Sequence, residues 1–348
     1  MVSMEHVRLP FAAHGRVSEA AAKPLAALSA ATGISSTWLL VGALVIVLAL
    51  LAGVLAVLLR GRRSAQGATK AVAADGPQDV SLPSTSQITP PAPAGSLRLA
   101  VHQHIGKRED QQDSYVCTDP AAYGSQGVLA AVADGMGGLS NGAAVSEALV
   151  RTLEEGFRRS DPGCNSADLL LQLAVRANAQ VDQLLRDKSR SGSTLVAAVI
   201  RGGVLHFFSV GDSRIYLYRG GGLIQLNREH VFQEELALRA LNRELPLGRV
   251  RTDRQAHFLT SYFGIDRIPA LDRNDEGIKL VSGDKLLLAS DGVFGTLTTA
   301  QLEEALRKEP EEAASAIGAM IEAAGSAYQD NNTAVILEYH SDAGREAL

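Results

Sequence analysis

Cysteine is nearly absent from this chain. Its 348 residues contain two, Cys117 and Cys164, widely spaced. Neither a disulfide framework nor a thiolate zinc site can be built from them, and such sparing use suits a reducing compartment for the folded part. Histidine pairs at zinc-binding spacing are missing too. A surplus of positive charge is also missing. The 33 Lys and Arg against 38 Asp and Glu give a net charge of −5, which excludes a general nucleic-acid binder with its basic stripe. No internal repeat is present. What the chain does have is apolar substance: 46% hydrophobic residues against 20% charged, enough for one large domain or two ordinary ones.

That substance is unevenly spread. Residues 1–35 are Ala-rich, with Arg8, Arg16 and Lys23 diluted by Glu5 and Glu19, and predict an unfolded N-terminal tail. Within 36–60, the stretch Trp38–Leu59 carries no charge. At 1.5 Å per residue, about 22 residues cover about 33 Å, the thickness of a hydrocarbon core of about 30 Å. A core helix is rarely apolar on every face, and a signal peptide has a shorter apolar region of about 7–15 residues behind a short front segment. The expectation is one transmembrane helix with Trp38 at an interface. Arg60, Arg62 and Arg63 follow at once, which places the C-terminal side in the cytoplasm of a single-pass inner-membrane protein. Residues 61–96 turn to Ser, Ala, Gly, Gln and Pro, ending in Thr89-Pro90-Pro91-Ala92-Pro93. This is a flexible tether with a stiffer end, spanning roughly 30 Å; the Pro-rich end could also serve a small adaptor domain.

Residues 97–340 form one folded unit, followed by a tail at 341–348. Strands are expected at Leu97–His102, Ser114–Thr118, Gly127–Ala133, Ser193–Ile200, Val204–Val210, Arg214–Arg219, Gly222–Leu226, Ala256–Thr260, Lys285–Ala289 and Ala334–Tyr339. Helical spacing marks Gly142–Arg159, Ala167–Asp187, Thr299–Arg307 and Glu311–Tyr328. Two blocks of strands, each with a helix pair nearby, predict an α+β fold with antiparallel sheets rather than alternating parallel α/β.

Four carboxylates share one signature, each at a strand edge in a tight polar or glycine turn. Asp134 ends the apolar run Gly127–Ala133 and is followed by Gly135-Met136-Gly137-Gly138. Asp113 opens a strand, Asp291 closes one, and Asp330 precedes the last. One such residue is commonly a cap or turn carboxylate. Four at the ends of core strands would be very costly to bury together without a cation. Oxygen-only ligands imply a hard ion, Mg²⁺ or Mn²⁺, and two of them would make a nucleophile from water at neutral pH. Arg108, five residues before Asp113, offers a fork for a phosphate.

The segments Gly106-Lys107-Arg108, Gln112-Asp113-Ser114, Ala133-Asp134-Gly135-Met136-Gly137-Gly138, Ser191-Gly192-Ser193-Thr194, Val210-Gly211-Asp212-Ser213-Arg214, Ser290-Asp291-Gly292 and Asp330-Asn331-Asn332-Thr333 together resemble the bacterial metal-dependent (PPM, or type-2C) Ser/Thr protein phosphatases. The resemblance covers about Leu97 to Tyr339. It implies a four-layer α/β/β/α sandwich, two antiparallel sheets flanked by helix pairs, with a two-metal site of Mn²⁺ or Mg²⁺ at one end. It implies that Asp134 bridges both ions, that the Gly135 carbonyl binds one, and that Asp113, Asp291 and Asp330 complete the set, partly through water. Arg108 would hold the substrate phosphate, while a metal-bridging water or hydroxide attacks phosphorus in line without a phosphoenzyme. Asp187 stands near the slot of a third ion, with Ser189 and Arg190 as rivals for that position. Met136 replaces a histidine that animal members carry, leaving the leaving-group acid to water. The partners so implied are phosphorylated Ser/Thr proteins, with a membrane Ser/Thr kinase and its substrates as a natural set.

Other residues have blander expectations. Asp212 and Arg214 suggest a turn carboxylate and a salt bridge packing beneath the site. Thr194 and Asn331 suggest hydrogen bonding beside the metals. His102, His104 and His230 invite a general-acid reading against a commoner surface or supporting role. Two rival functions stand beside the enzyme: a catalytically weak phosphatase-fold regulator or docking module at the membrane, and a phosphatase acting on an anti-anti-sigma partner. The first would have lost a ligand carboxylate, and none is lost.

Overall fold

The computed structural model describes residues 95–137, 141–186 and 191–341. The expected tail, the span Trp38–Leu59, nearly all of the tether, Gly138, Asp187 and residues 342–348 lie outside them. Among the described residues no helix is long and apolar enough to cross a membrane.

Twelve strands follow in chain order: β1 (Ser96–His104), β2 (Asp113–Cys117), β3 (Val128–Met136), β4 (Gly192–Ser193), β5 (Leu195–Arg201), β6 (Val204–Val210), β7 (Arg214–Arg219), β8 (Gly222–Gln225), β9 (Asp272–Arg273), β10 (Ile278–Lys279), β11 (Lys285–Ala289) and β12 (Asn332–His340). One sheet runs β1-β12-β11-β7-β8 and the other β10-β6-β5-β3-β2, with β4 against β3 and β9 against β6. Neighbours are antiparallel throughout.

The period-2 alternation of side chains explains why the central strands are unbroken apolar runs. On β3, Leu129, Ala131 and Ala133 face helices Asn141–Arg158 and Ser166–Leu184, meeting Leu149, Leu153, Phe157, Leu170 and Leu173. Val128, Ala130 and Val132 face the other sheet, packing with Leu286, Leu288, Val335 and Leu337. Beyond that sheet, Leu287 and Ile336 pack on Leu302, Leu306, Ile317 and Ile321 of helices Thr299–Leu306 and Pro310–Ala324. Three apolar interfaces therefore hold four layers: helices, sheet, sheet, helices. Each fully buried Leu, Val or Phe contributes roughly 1.5–3 kcal/mol.

Polar groups close the helix ends. Asn165 Oδ1 accepts from the amides of Ala167 and Asp168, and Thr298 with Gln301 forms a capping box. Lys285, buried on β11, donates to Leu306 O at 3.0 Å and to Lys308 O, capping the end of helix Thr299–Leu306 from the sheet, and its Nζ lies 3.4 Å from Glu338 Oε1.

Three expected elements differ. β3 does not stop at Asp134, because Gly135 and Met136 pair with Ser193 and Gly192. The expected strand Ser193–Ile200 breaks at Thr194, whose amide bonds Asp134 O instead. Ala256–Thr260 is not a strand. Its backbone groups are spent on the segment it closes, through Phe232 N to Phe258 O, Gln233 N to Ala256 O and Thr260 N to His230 O. Val231 and Leu259 make one bridge, so residues 231–259 form a flap with a pinched root.

Candidate active site

The site is built where strand ends of both sheets converge. Asp113 and Asp134 are cross-strand partners on β2 and β3. Asp291 opens the short helix Asp291–Phe294 directly after β11, and Asp330 precedes β12. Arg108, Asp134, Gly135, Met136, Thr194, Asp212, Asp291, Asp330 and Asn331 line one cavity of about 650 Å³, with Leu259 of the flap root at its edge. Asp113 does not line it. That residue lies behind Asp134, 4% exposed.

Each carboxylate is held differently. Asp113 Oδ2 accepts from the hydroxyls of Ser290 at 2.7 Å and Thr333 at 2.8 Å, while its Oδ1 is buried without a partner. Burial pushes this carboxyl up to about 6, the two hydroxyls hold it back, and Asp291 and Asp330 push further. Asp134 sits deep yet keeps part of its surface open to the cavity. Burial first, then Asp113, Asp291, Asp212 and Asp330, raise its pKa well above the ordinary value. Asp212 is pushed up to about 7 by burial and by Asp291. Asp291 is raised by burial and by Asp330, against the pull of a hydrogen bond with Asp134 and of Arg108.

Backbone and amide contacts fix the frame. Asn331 Oδ1 accepts from Gln112 N at 2.7 Å, and its Nδ2 donates to Ile105 O at 2.8 Å and Asp110 O at 3.1 Å. One amide thus latches the Arg108 loop to the entry of β12. Gly106 has φ +68°, and a Cβ there would stand 2.2 Å from Asp330 O; only glycine fits this approach. At Gly135 a Cβ would stand 2.4 Å from Gly142 O and 2.6 Å from Gln112 O. Thr194 Oγ1 accepts from Asp134 N at 3.2 Å and bonds Ser213 Oγ at 2.7 Å. Arg108 reaches Asp330 Oδ2 with Nη2 at 2.5 Å from the exposed rim.

Other sequence candidates lie elsewhere. His102 and His104 line a separate cavity of about 330 Å³, with the His102 ring bonded to Asn332 Oδ1 at 2.8 Å. His230 is buried, its Nδ1 accepting from Gly211 N at 3.0 Å. Arg214 makes a salt bridge, with Glu229 at 2.7 Å, and Asp212 lines the cavity. Ser290, Thr333 and Gln112 stand in the motif segments without a role of their own, and Leu259 carries no sequence signal. Ser290 and Thr333 carry a faint signal, a hydroxyl within a few residues of a strand-end carboxylate.

A hard divalent cation fits this donor set. The ligating atoms on offer are oxygens, one buried carboxylate oxygen has no partner, and the acids raise one another's pKa in a way that positive charge would relieve. Among the described residues no three His, Cys, Asp or Glu side chains close on one point. Such a site leaves room for the several waters that Mg²⁺-type ions retain.

A profile of the family described as Protein phosphatase 2C matches residues 102–332. The serine/threonine protein phosphatase PstP of Mycobacterium tuberculosis is 32% identical over 224 residues, covering 60% of this chain and 40% of that protein. The chain thus spans less than half the length of that relative. The PPM Ser-Thr phosphatase MsPP from Mycobacterium smegmatis, solved in complex with cacodylate, is 30% identical with a TM-score of 0.57, covering 70% of this chain and 99% of that one. The catalytic domain of PstP in complex with two manganese ions has the same fold, at 24% identity and a TM-score of 0.57, covering 71% and 100% of the two chains.

Proposed function

The chain belongs to the protein phosphatase 2C family, and on that premise we propose that it hydrolyses phosphoserine and phosphothreonine in proteins, using two Mn²⁺ or Mg²⁺ ions. The observation that carries the proposal is the gathering of Asp134, Asp212, Asp291, Asp330 and Arg108 around one open cavity, with Asp113 buried behind them.

Asp134, with Asp113, Asp291, Asp330 and the Gly135 carbonyl, would hold the ions. When bound, such ions make water a competent nucleophile at neutral pH and neutralise charge developing on the phosphoryl oxygens. Arg108 binds and orients the substrate: its planar fork can take two phosphate oxygens at once. Asp330, now paired with Arg108, keeps that guanidinium aimed across the mouth of the cavity. Thr194 holds the backbone of Asp134 on the β3–β4 side, and Ser290 and Thr333 fix the Asp113 carboxylate through one oxygen, leaving the other without a partner. The reaction consumes one water and breaks the phosphorus–oxygen bond to the Ser or Thr side chain. The departing oxygen takes up one proton, for which water is the donor expected from Met136; among the described residues no histidine lines the cavity.

The apolar span Trp38–Leu59 and the arginines after it support a single-pass protein of the inner membrane with this domain on the cytoplasmic side. A tether of the composition of residues 61–96 would raise local concentration near membrane-bound phosphoproteins, which suits a membrane Ser/Thr kinase and its substrates as partners.

The test is phosphate release from a phosphothreonine peptide by the purified full chain, with Mn²⁺ and with EDTA, beside Asp134→Asn. Turnover only with the metal, lost in the variant, is expected. Equal rates in EDTA, or none under any condition, would sink the proposal. Protease protection in inverted vesicles tests the topology: a domain shielded from added protease there would contradict the cytoplasmic placement.

A further inference from the structure

Arg214 is the meeting point of three parts of the molecule. Its Nε donates to Glu229 Oε1 at 2.7 Å and its Nη1 to the Tyr216 hydroxyl at 3.0 Å. The guanidinium carbon lies 3.8 Å from the centroid of the Phe294 ring. Phe294 closes the short helix that Asp291 opens, so it shares one turn with that carboxylate. Glu229 stands at the other end of the relay. The next residue, His230, is bound twice to Gly211, by its amide to Gly211 O at 2.8 Å and by Nδ1 to Gly211 N at 3.0 Å. The residue after that, Val231, bridges Leu259, which lines the catalytic cavity.

We propose that Arg214 is a positioning residue that couples the flap root to the Asp291 helix, so that metal binding and flap order depend on each other. The proposal rests on the metal-phosphatase reading above. A guanidinium suits the task because it can pair in its plane and stack through its face together. An ammonium at the same place keeps the pairing with Glu229 and loses the stack. The Glu229 pair is partly shielded, with side-chain exposures of 27% and 22%, so solvent screening does not abolish it. Whatever shifts the flap root moves Glu229, and through Arg214 and Phe294 it moves the helix that presents Asp291. By linkage, a metal that fixes Asp291 orders the flap by the same factor as an ordered flap tightens the metal.

The experiment measures two quantities on the full chain in detergent. Isothermal titration gives the Kd for Mn²⁺. Limited trypsin digestion with fragment masses follows cleavage at the flap arginines, such as Arg243 and Arg251, with and without Mn²⁺. In the unsubstituted protein Mn²⁺ should slow flap cleavage. In Arg214→Lys and in Phe294→Leu the Kd should rise about tenfold, as for supporting partners of metal ligands generally, and Mn²⁺ should cease to protect the flap. Glu229→Gln added to Arg214→Lys should weaken binding no further, because both act along one path. Unchanged Kd and retained protection in the variants, or a loss of thermal stability alone, overturns the coupling. If Arg214→Lys does not fold, Phe294→Leu, which leaves the ion pair intact, decides the matter. Failure of the unsubstituted protein to bind Mn²⁺ would overturn the metal site itself, and is told apart by appearing without any substitution.

Discussion

Asp113 and Asp134 face each other directly across the β2–β3 pair, two carboxylates in a register position where like charges oppose folding. The sheet holds this arrangement at a cost that a bound cation would offset. Replacing Asp134 by Asn should therefore raise the melting temperature of the metal-free protein by about 2–4 °C, the shift expected for about 1 kcal/mol in a domain of this size. The same change should lower Mn²⁺-dependent phosphate release by more than about a hundredfold, beyond the effect of losing a mere supporting partner. Calorimetry in EDTA and a phosphopeptide assay check the two halves.

Asp113 and Asp212 should make the metal-free protein lose stability as pH rises from about 4 to about 7, against an opposite contribution from His102, His206 and His230, whose values burial lowers. Asp113 and Asp212 have folded values of about 6 and about 7 against an ordinary 3.8, raised chiefly by burial. At these two groups the folded chain binds more protons in that window than the unfolded chain, so raising pH favours unfolding. Saturating Mn²⁺ should flatten the profile. The difference between thermal melts across pH in EDTA and in saturating Mn²⁺ isolates the acids, and a metal-free stability that does not fall relative to the Mn²⁺ form over this window would contradict their crowding.

Arg108→Ala should raise KM for a phosphopeptide by about tenfold to a hundredfold, the loss of a charge-assisted hydrogen bond worth about 1.5–3 kcal/mol. Its side chain is 57% exposed on the rim, so folding stability should change little. Steady-state kinetics and a melting curve on one preparation separate the two effects.

Lys285→Met should destabilise the domain by about 3–5 kcal/mol, since Glu338 and the carbonyls of Leu306 and Lys308 would be left buried without their cation. Adding Glu338→Leu should recover part of the loss. Urea unfolding of the single and double variants measures both.

Much of the site was legible because its chemistry is local. Each aspartate sits next to the end of an apolar run, and the alternation of β3 and β12 is written in consecutive residues. What was not legible depends on distant partners. No periodicity announces that Gly135 and Met136 continue β3, since the reason is β4, far along the chain. Ala256–Thr260 has the composition of a strand but finds no sheet edge, and closes the flap instead. Arg214 reads as one end of a salt bridge, but its partners Glu229 and Phe294 are named only by the fold. Ser290, just past β11, and Thr333 on β12 converge on Asp113 of the other sheet, a meeting that only the packing of the two sheets produces. The two-residue strands β9 and β10 are too short for any pattern to mark.

The Asn331 latch also sets a timetable. The loop that carries Arg108 is tied to residues that follow it by 219 to 226 positions. During synthesis at roughly 5–20 residues per second, that gap is on the order of ten to forty seconds. For most of that interval Asp113 and Asp134 can already be paired on β2 and β3, while Arg108 has no seat and the fourth carboxylate does not yet exist. On the proposed function, a nascent chain should stay inert until its last strand enters the sheet, so that completion of the fold and onset of activity become one event.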